Sequence, residues 1–274
     1  MNNAIYRSGN LQNIISIDAL SIQTAEVIFG PGSLVYGSDA IGGVMDFHTL
    51  NAGFAKEKKI QVSGNALARY SSANKENTFH ADINLGSKKW SFLSSITYSK
   101  FDDLKMGKHG GQESYLRPEY VERINGNDSI VKNKGPRIQR FSGYEQINFL
   151  QKIRFKPNSN LEMQYSFTYA GTGNAPRYDR LIQYRSGKLR FAEWNYGPML
   201  WRMHHFQMLH SKKNAVYDDA RLTIAYQNYD ESRIDRTRAN NTRNRQAEKV
   251  NALSINLDAG KKIGKGELFY GAEH

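Results

Sequence analysis

The sequence predicts a mainly β protein whose antiparallel strands follow one another along a single sheet. From residue 60 onward, apolar side chains recur at every second position, the period of strands with two unlike faces. Short polar connections alternate with long ones, as they do where a barrel crosses a membrane with tight turns on one side and loops on the other. The chain carries 16 Tyr and 13 Phe, which suit a pleated surface. No stretch approaches the roughly 20 apolar residues that a membrane helix needs. A transmembrane β-barrel reconciles these features, because only alternate residues meet lipid. That keeps the mean hydropathy low, here −0.66.

Taken in order, residues 60–70 place Ile60, Val62, Gly64, Ala66, Ala68 and Tyr70 on one face and Gln61, Ser63, Asn65, Leu67 and Arg69 on the other. Residues 79–85 repeat the pattern, with Phe79, Ala81, Ile83 and Leu85 opposite His80, Asp82 and Asn84. The turn at 86–89 leads into Trp90–Phe101, where Trp90, Phe92, Ile96 and Tyr98 share a face and the opposite face is mostly Ser and Thr. A less regular strand at 147–155 is followed by the turn 156–160, rich in Pro, Asn and Ser. Residues 161–169 alternate most cleanly, with Leu161, Met163, Tyr165, Phe167 and Tyr169 against Glu162, Gln164, Ser166 and Thr168. Four further strands are expected at 201–210, 220–229, 253–259 and 268–272, giving about nine in all.

The connections 86–89, 157–160, 211–214 and 261–266 are short; those at 102–143, 170–200 and 230–250 are long, with 71–78 the exception. Tyr70, Trp90, Tyr98, Tyr144, Tyr169 and Tyr229 lie near strand ends, where an aromatic girdle is expected.

The formal charge is +12. It concentrates in the long connections, where solvated loops or the phosphates of an outer-membrane lipid account for it, and no nucleic-acid-reading motif accompanies it. The chain has no Cys, hence no disulfide framework and no thiolate chemistry. There is no G-x-S-x-G elbow, H-E-x-x-H pair or P-loop, so no enzyme is expected. His204 and His205 are adjacent and must point to opposite faces of a strand, which prevents a shared ligand.

Ahead of the strands lies residues 26–49, EVIFGPGSLVYGSDAIGGVMDFHT, where apolar runs at 27–29 and 44–47 flank a glycine-dense segment. Gly30-Pro31-Gly32 reads as a tight turn, and Gly42-Gly43 as a point where bulk would block a neighbouring backbone. Glu26, Gly30, Pro31, Gly32, Tyr36, Gly37, Gly42 and Gly43, in this order, resemble the end of the plug domain of TonB-dependent outer-membrane receptors. Phe29 departs from the arginine frequent before the Gly-Pro in that family. Residues 1–18, 70–76, 176–180, 220–227 with 231–233, and 268–273 resemble haem-type members.

The resemblance implies the C-terminal part of a mixed α/β plug over residues 1–52. The N-terminal strands of the barrel, as an open sheet, would follow over 53–274. It implies a receptor in the bacterial outer membrane that imports an iron complex, haem or a siderophore, as transported ligand and not as cofactor. Its implied partners are the TonB energy-transducing complex, a small iron complex or haem-carrying protein, and outer-membrane lipid or lipopolysaccharide. Residues 1–10 lack the charged start and apolar core of a signal peptide, and about nine strands fall short of the roughly 22 of plugged transporters, so a piece of a longer receptor is expected.

In that topology Arg177, Tyr178 and Arg180 open an outward loop and suit a flat, anionic ligand, with a local Arg–Asp pair as the structural alternative. His109 is a further surface ligand candidate. Residues 231–249, with their five arginines, read as a solvated loop. A surface-binding barrel or adhesin without transport, or a soluble all-β binding protein, is the alternative to the receptor.

Overall fold

The computed structural model describes residues 16–30, 42–57, 59–107, 109 and 116–274. Pro31, Gly32, Tyr36 and Gly37 lie outside the described residues. The described part opens with a 3-10 turn, Ala19–Ser21, whose start is capped by Asp18 accepting from the Leu20 amide at 3.0 Å. Strand β1 (Ile22–Phe29) pairs antiparallel with β2 (Gly43–Thr49), from Ile22 opposite Thr49 to Phe29 opposite Gly43. Gly30, at φ +98°, takes a conformation open to glycine as the chain leaves β1.

The remainder is dominated by one antiparallel meander of nine strands among the described residues. These are β3 (Gln61–Ser71), β4 (Glu76–Gly86), β5 (Trp90–Phe101), β6 (Tyr144–Phe155), β7 (Leu161–Thr172), β8 (Met199–Ser211), β9 (Asp219–Thr237), β10 (Asn244–Ile263) and β11 (Gly266–Glu273). Each pairs with its predecessor, and the sheet does not close, since β3 and β11 each have one neighbour. All nine expected strands are present, extended at their ends because backbone pairing continues past the alternating side chains.

The registers show what the alternation is for. Across eight strands one row reads Val62, Leu85, Phe92, Ile153, Tyr165, Phe206, Ile224 and Ile255, entirely apolar or aromatic. The adjacent row, on the other face, reads Ser63, Asn84, Leu93, Lys152, Ser166, His205, Ala225 and Ser254. The apolar face is the open one. Phe79 is 59% exposed whereas its neighbours Thr78 and His80 are buried. A water-soluble sheet buries the opposite set.

The polar face is covered by the N-terminal segment. Thr97 donates to Asp18 at 2.7 Å, Ser21 and Ser95 hydroxyls meet at 2.8 Å, and Asn148 donates to the Ser16 carbonyl at 3.3 Å. The connector after β2 is held along the same face. Lys152 Nζ donates to the Thr49 carbonyl at 3.1 Å, Arg154 to that of Ala52 at 2.6 Å, and Ser91 to that of Gly53 at 2.7 Å. Gly86 is glycine for this reason: a Cβ there would stand 2.3 Å from the Gly53 carbonyl oxygen.

Three expectations are corrected. Tyr229 is buried with Ala170 and Trp201 on the polar face, and Tyr144 stacks on Phe101 there at 4.7 Å, so neither joins an outer girdle. Residues 231–249 are not a solvated loop. Strands β9 and β10 run on as a hairpin to the pair Asp235–Asn244, and Arg236 is buried. Within the long 102–143 connection, Glu119–Ile124 and Asn127–Lys132 pair as a second hairpin.

Candidate functional site

At the end of the sheet bearing the long connections, three of them lock together. The Pro-Arg-Tyr-Asp-Arg segment forms a single helical turn, Tyr178–Leu181, beginning at Arg177. It packs against the strand Phe191–Tyr196, which lies alongside the upper part of β9. Arg177 donates to Asp179 Oδ1 at 2.9 Å and to Tyr196 Oη at 2.9 Å, and its guanidinium lies 5.2 Å from the Trp194 ring centroid. The local Arg–Asp pair is therefore formed. Arg180 reaches the same carboxylate only at 3.9 Å.

Tyr178 presents its ring to Arg117 of the first long connection, 5.3 Å from the guanidinium carbon, and Phe141 lies on that group at 5.9 Å. Arg117 is 2% exposed, donates to the Arg140 carbonyl, and leaves Nε without an acceptor. Burial pushes its basicity down, partly offset by Tyr178 and Asp103 nearby, and burial likewise pushes the Tyr178 hydroxyl up. The guanidinium stays charged, with both rings within about 6 Å of it.

A second tie is ionic. Arg236, near the tip of β9, clamps Asp128 with two parallel hydrogen bonds of 2.6 and 2.8 Å, and the Ala239 amide adds a third at 2.9 Å. The Arg236 hydrogen bonds hold the Asp128 carboxyl below the usual carboxylate range, against the opposing effect of burial. Arg243 pairs with Glu193 at 2.7 and 2.8 Å, and Tyr184 donates to Glu119 at 3.0 Å. Sequence reading missed Arg117, Asp128 and Arg236, whose partners lie far away along the chain.

Of the candidate ligands, Arg177, Tyr178 and Arg180 share this platform. His109 is exposed, and among the described residues no hydrogen bond, ion pair or ring contact joins it to them. His204 and His205 diverge as expected. His204 meets Tyr165 Oη at 2.7 Å on the apolar face, and His205 lies on the polar one. No group of His, Asp and Glu among the described residues is arranged to hold a metal ion. No helix among them is long and apolar enough to cross a membrane, which says nothing of a barrel.

No family model matches the sequence, and no curated protein matches it. The fold does match solved structures. The chain resembles the copper transporter OprC with a TM-score of 0.66 and 14% identity, over 94% of this chain and 34% of that one. It resembles the ferric enterobactin receptor PfeA, solved in complex with BCV-L6, with a TM-score of 0.63 and 15% identity, over 94% and 36% of the two chains. A mutant of that receptor from Pseudomonas aeruginosa gives a TM-score of 0.58 and 14% identity over the same shares. The chain thus spans about a third of the length of these structures, and it has the fold of the part it matches.

Proposed function

We propose that this chain is part of a TonB-dependent outer-membrane receptor that binds a metal complex outside the cell and admits it through a plugged barrel. In this reading residues 1–52 belong to the plug and 53–274 to the barrel wall. The observation that carries it is the outward apolar row from Val62 to Ile255, backed by a polar row under the N-terminal segment. That inversion suits a sheet with lipid outside and hydrated protein inside. The folds it matches carry the names of a copper transporter and a ferric enterobactin receptor, which supports a metal complex as cargo.

Haem rests on the sequence resemblance, and a ferric siderophore on the neighbours' names as well. The interlocked long connections form the outward platform, with Arg177, Tyr178 and Arg180 as its cationic and aromatic contacts for an anionic chelate. His109 is the more remote candidate. The partners are the TonB complex at the inner side and lipopolysaccharide around the rim. The test is uptake of radiolabelled iron, as haem and as a ferric siderophore, by cells expressing the full-length protein. Uptake of one of them, abolished when the energy-transducing complex is deleted, is expected. Energy-independent uptake overturns the reading, and uptake of neither removes haem and ferric siderophore as its cargo.

A further inference from the structure

On the outward face of β9 and β10 the runs Leu222, Ile224, Tyr226 and Leu257, Ile255, Leu253 give way to Asn228 and Asn251. On β8, Met208, Phe206 and His204 give way at the same level to Arg202, which is in register with Asn228. The next row toward the long connections is Leu200, Asp230 and Lys249. Apolar side chains ending in a tyrosine, with polar ones directly beyond, mark a wall passing from hydrocarbon to headgroups. A guanidinium facing hydrocarbon is costly and one at the bilayer surface is not, so Arg202 sets the headgroup level on β8. In the receptor reading this face points out of the barrel, away from the plug. Both strands flanking β8 and both flanking β9 belong to the sheet, so the registers set every strand neighbour of Arg202 and Asn228.

The patch holds more donors than it uses. Arg202 is exposed, and among the described residues no hydrogen bond or ion pair engages its guanidinium. Asn251 Oδ1 accepts from Asn228 Nδ2 at 2.6 Å and from Tyr226 Oη at 3.5 Å, which leaves the Asn251 amide hydrogens unused. The acid of these rows, Asp230, lies 3.8 Å from Lys249, so two cations face one carboxylate. Arginine meets a phosphate with two parallel hydrogen bonds. Neighbouring strands stand about 4.8 Å apart, so Arg202 and Asn251 lie about 10 Å apart across Asn228. That breadth exceeds one phosphate and fits a phosphate together with the sugar that carries it.

We infer that Arg202, Asn228 and Asn251, with Lys249 at the margin, form a docking site on the outer wall for the phosphorylated sugar headgroup of lipopolysaccharide. Arg202 takes the phosphate, and the two amides take sugar hydroxyls. The patch lies toward the long connections, the side on which the receptor reading places this lipid. The inference rests on that reading and narrows its lipid partner from the rim at large to one place on the wall.

The test uses the full-length protein purified in detergent, with photoreactive p-benzoylphenylalanine replacing Leu253, which is in register with Tyr226 just below the patch. Bisphosphorylated lipid A is titrated and the cross-linked fraction measured. Saturable cross-linking is expected, with half-saturation raised roughly tenfold by Arg202→Gln and little by Arg202→Lys, since one charge-assisted contact is lost. Dephosphorylated lipid A and phosphatidylglycerol should each need severalfold more. Lys265→Gln, in the short turn at the opposite end, leaves the titration unchanged. Should Arg202→Gln fail to assemble, Asn251→Leu removes an amide and raises half-saturation severalfold. Equal half-saturation for wild type and variants, or for lipid A and phosphatidylglycerol, overturns the site and leaves the receptor reading standing, because the wall still meets lipid. No cross-linking to any lipid overturns the site and counts against the barrel wall as well. Saturable lipid A cross-linking without energy-dependent uptake supports the site and counts against the transport reading alone.

Discussion

Gly42 and Gly43 stand side by side, yet the structure constrains only one of them. At Gly43 the backbone has φ +153°, and a Cβ would stand 2.7 Å from the Ile28 carbonyl oxygen across the β1–β2 pair. At Gly42 nothing lies within 4 Å. The Gly-Gly pair signals a close approach in the sequence, but the obstacle is the hairpin's own partner strand and not the surrounding wall. Gly43→Leu is expected to destabilise the hairpin by about 1–3 kcal/mol and to raise protease cleavage between β1 and β2 in the full-length protein. Gly42→Leu is expected to leave cleavage near wild type; equal sensitivity of the two would refute the cross-strand explanation.

Between elements, the Asp128–Arg236 clamp carries the clearest energetic statement. It joins a hairpin of the first long connection to the tip of β9, with side chains 2% and 9% exposed. Asp128→Ala leaves the Arg236 charge buried and unpaired, which costs roughly 3–5 kcal/mol of local order. Limited proteolysis within residues 119–132 should accelerate, while the strands of the large sheet stay protected. The pH dependence has a definite sign. The folded-state pKa of Asp128 lies below its unfolded value, so the stabilisation is present above about pH 4 and is lost as pH falls through the folded value. Protection of the hairpin should persist at pH 5 and fall below about pH 4. Loss of protection on raising the pH instead would show that Asp128 is not the controlling group.

For the whole molecule, the outer face is not a level stripe across the strands. The row Ala66, Ala81, Ile96, Phe149 and Tyr169 is apolar or aromatic on β3 to β7, but continues as Arg202, Asn228 and Asn251 on β8 to β10. Nearer the short turns the face is apolar throughout, with Trp90, Phe155, Met163, Met208, Leu222 and Leu257 in register on β5 to β10. The apolar band therefore extends further toward the long connections on β5 to β7 than on β8 to β10. Single cysteines at Tyr165 and Ser166 of the full-length protein in lipid should separate. The first should react with a membrane-confined maleimide and the second only with a small aqueous reagent. Equal labelling of both from water would defeat the barrel assignment.

Much of this architecture is written locally. Alternation in 79–85 or 161–169 needs no distant partner to be read, because a strand's two faces follow from backbone geometry alone. The nine strands and the short turns were accordingly legible, as was the divergence of His204 from His205. The Arg177–Asp179 pair, two residues apart, was legible too. What faces what was not. Lys152, Ser166 and His205 come side by side only when three strands settle in register, and Arg236 is buried only because Asp128, far away along the chain, arrives to neutralise it. Register and loop docking are set by contacts between segments that carry no mark of one another in sequence. So the sequence by itself determined the strands and their polarity, and the tertiary structure alone decided which charges would meet and which would be buried.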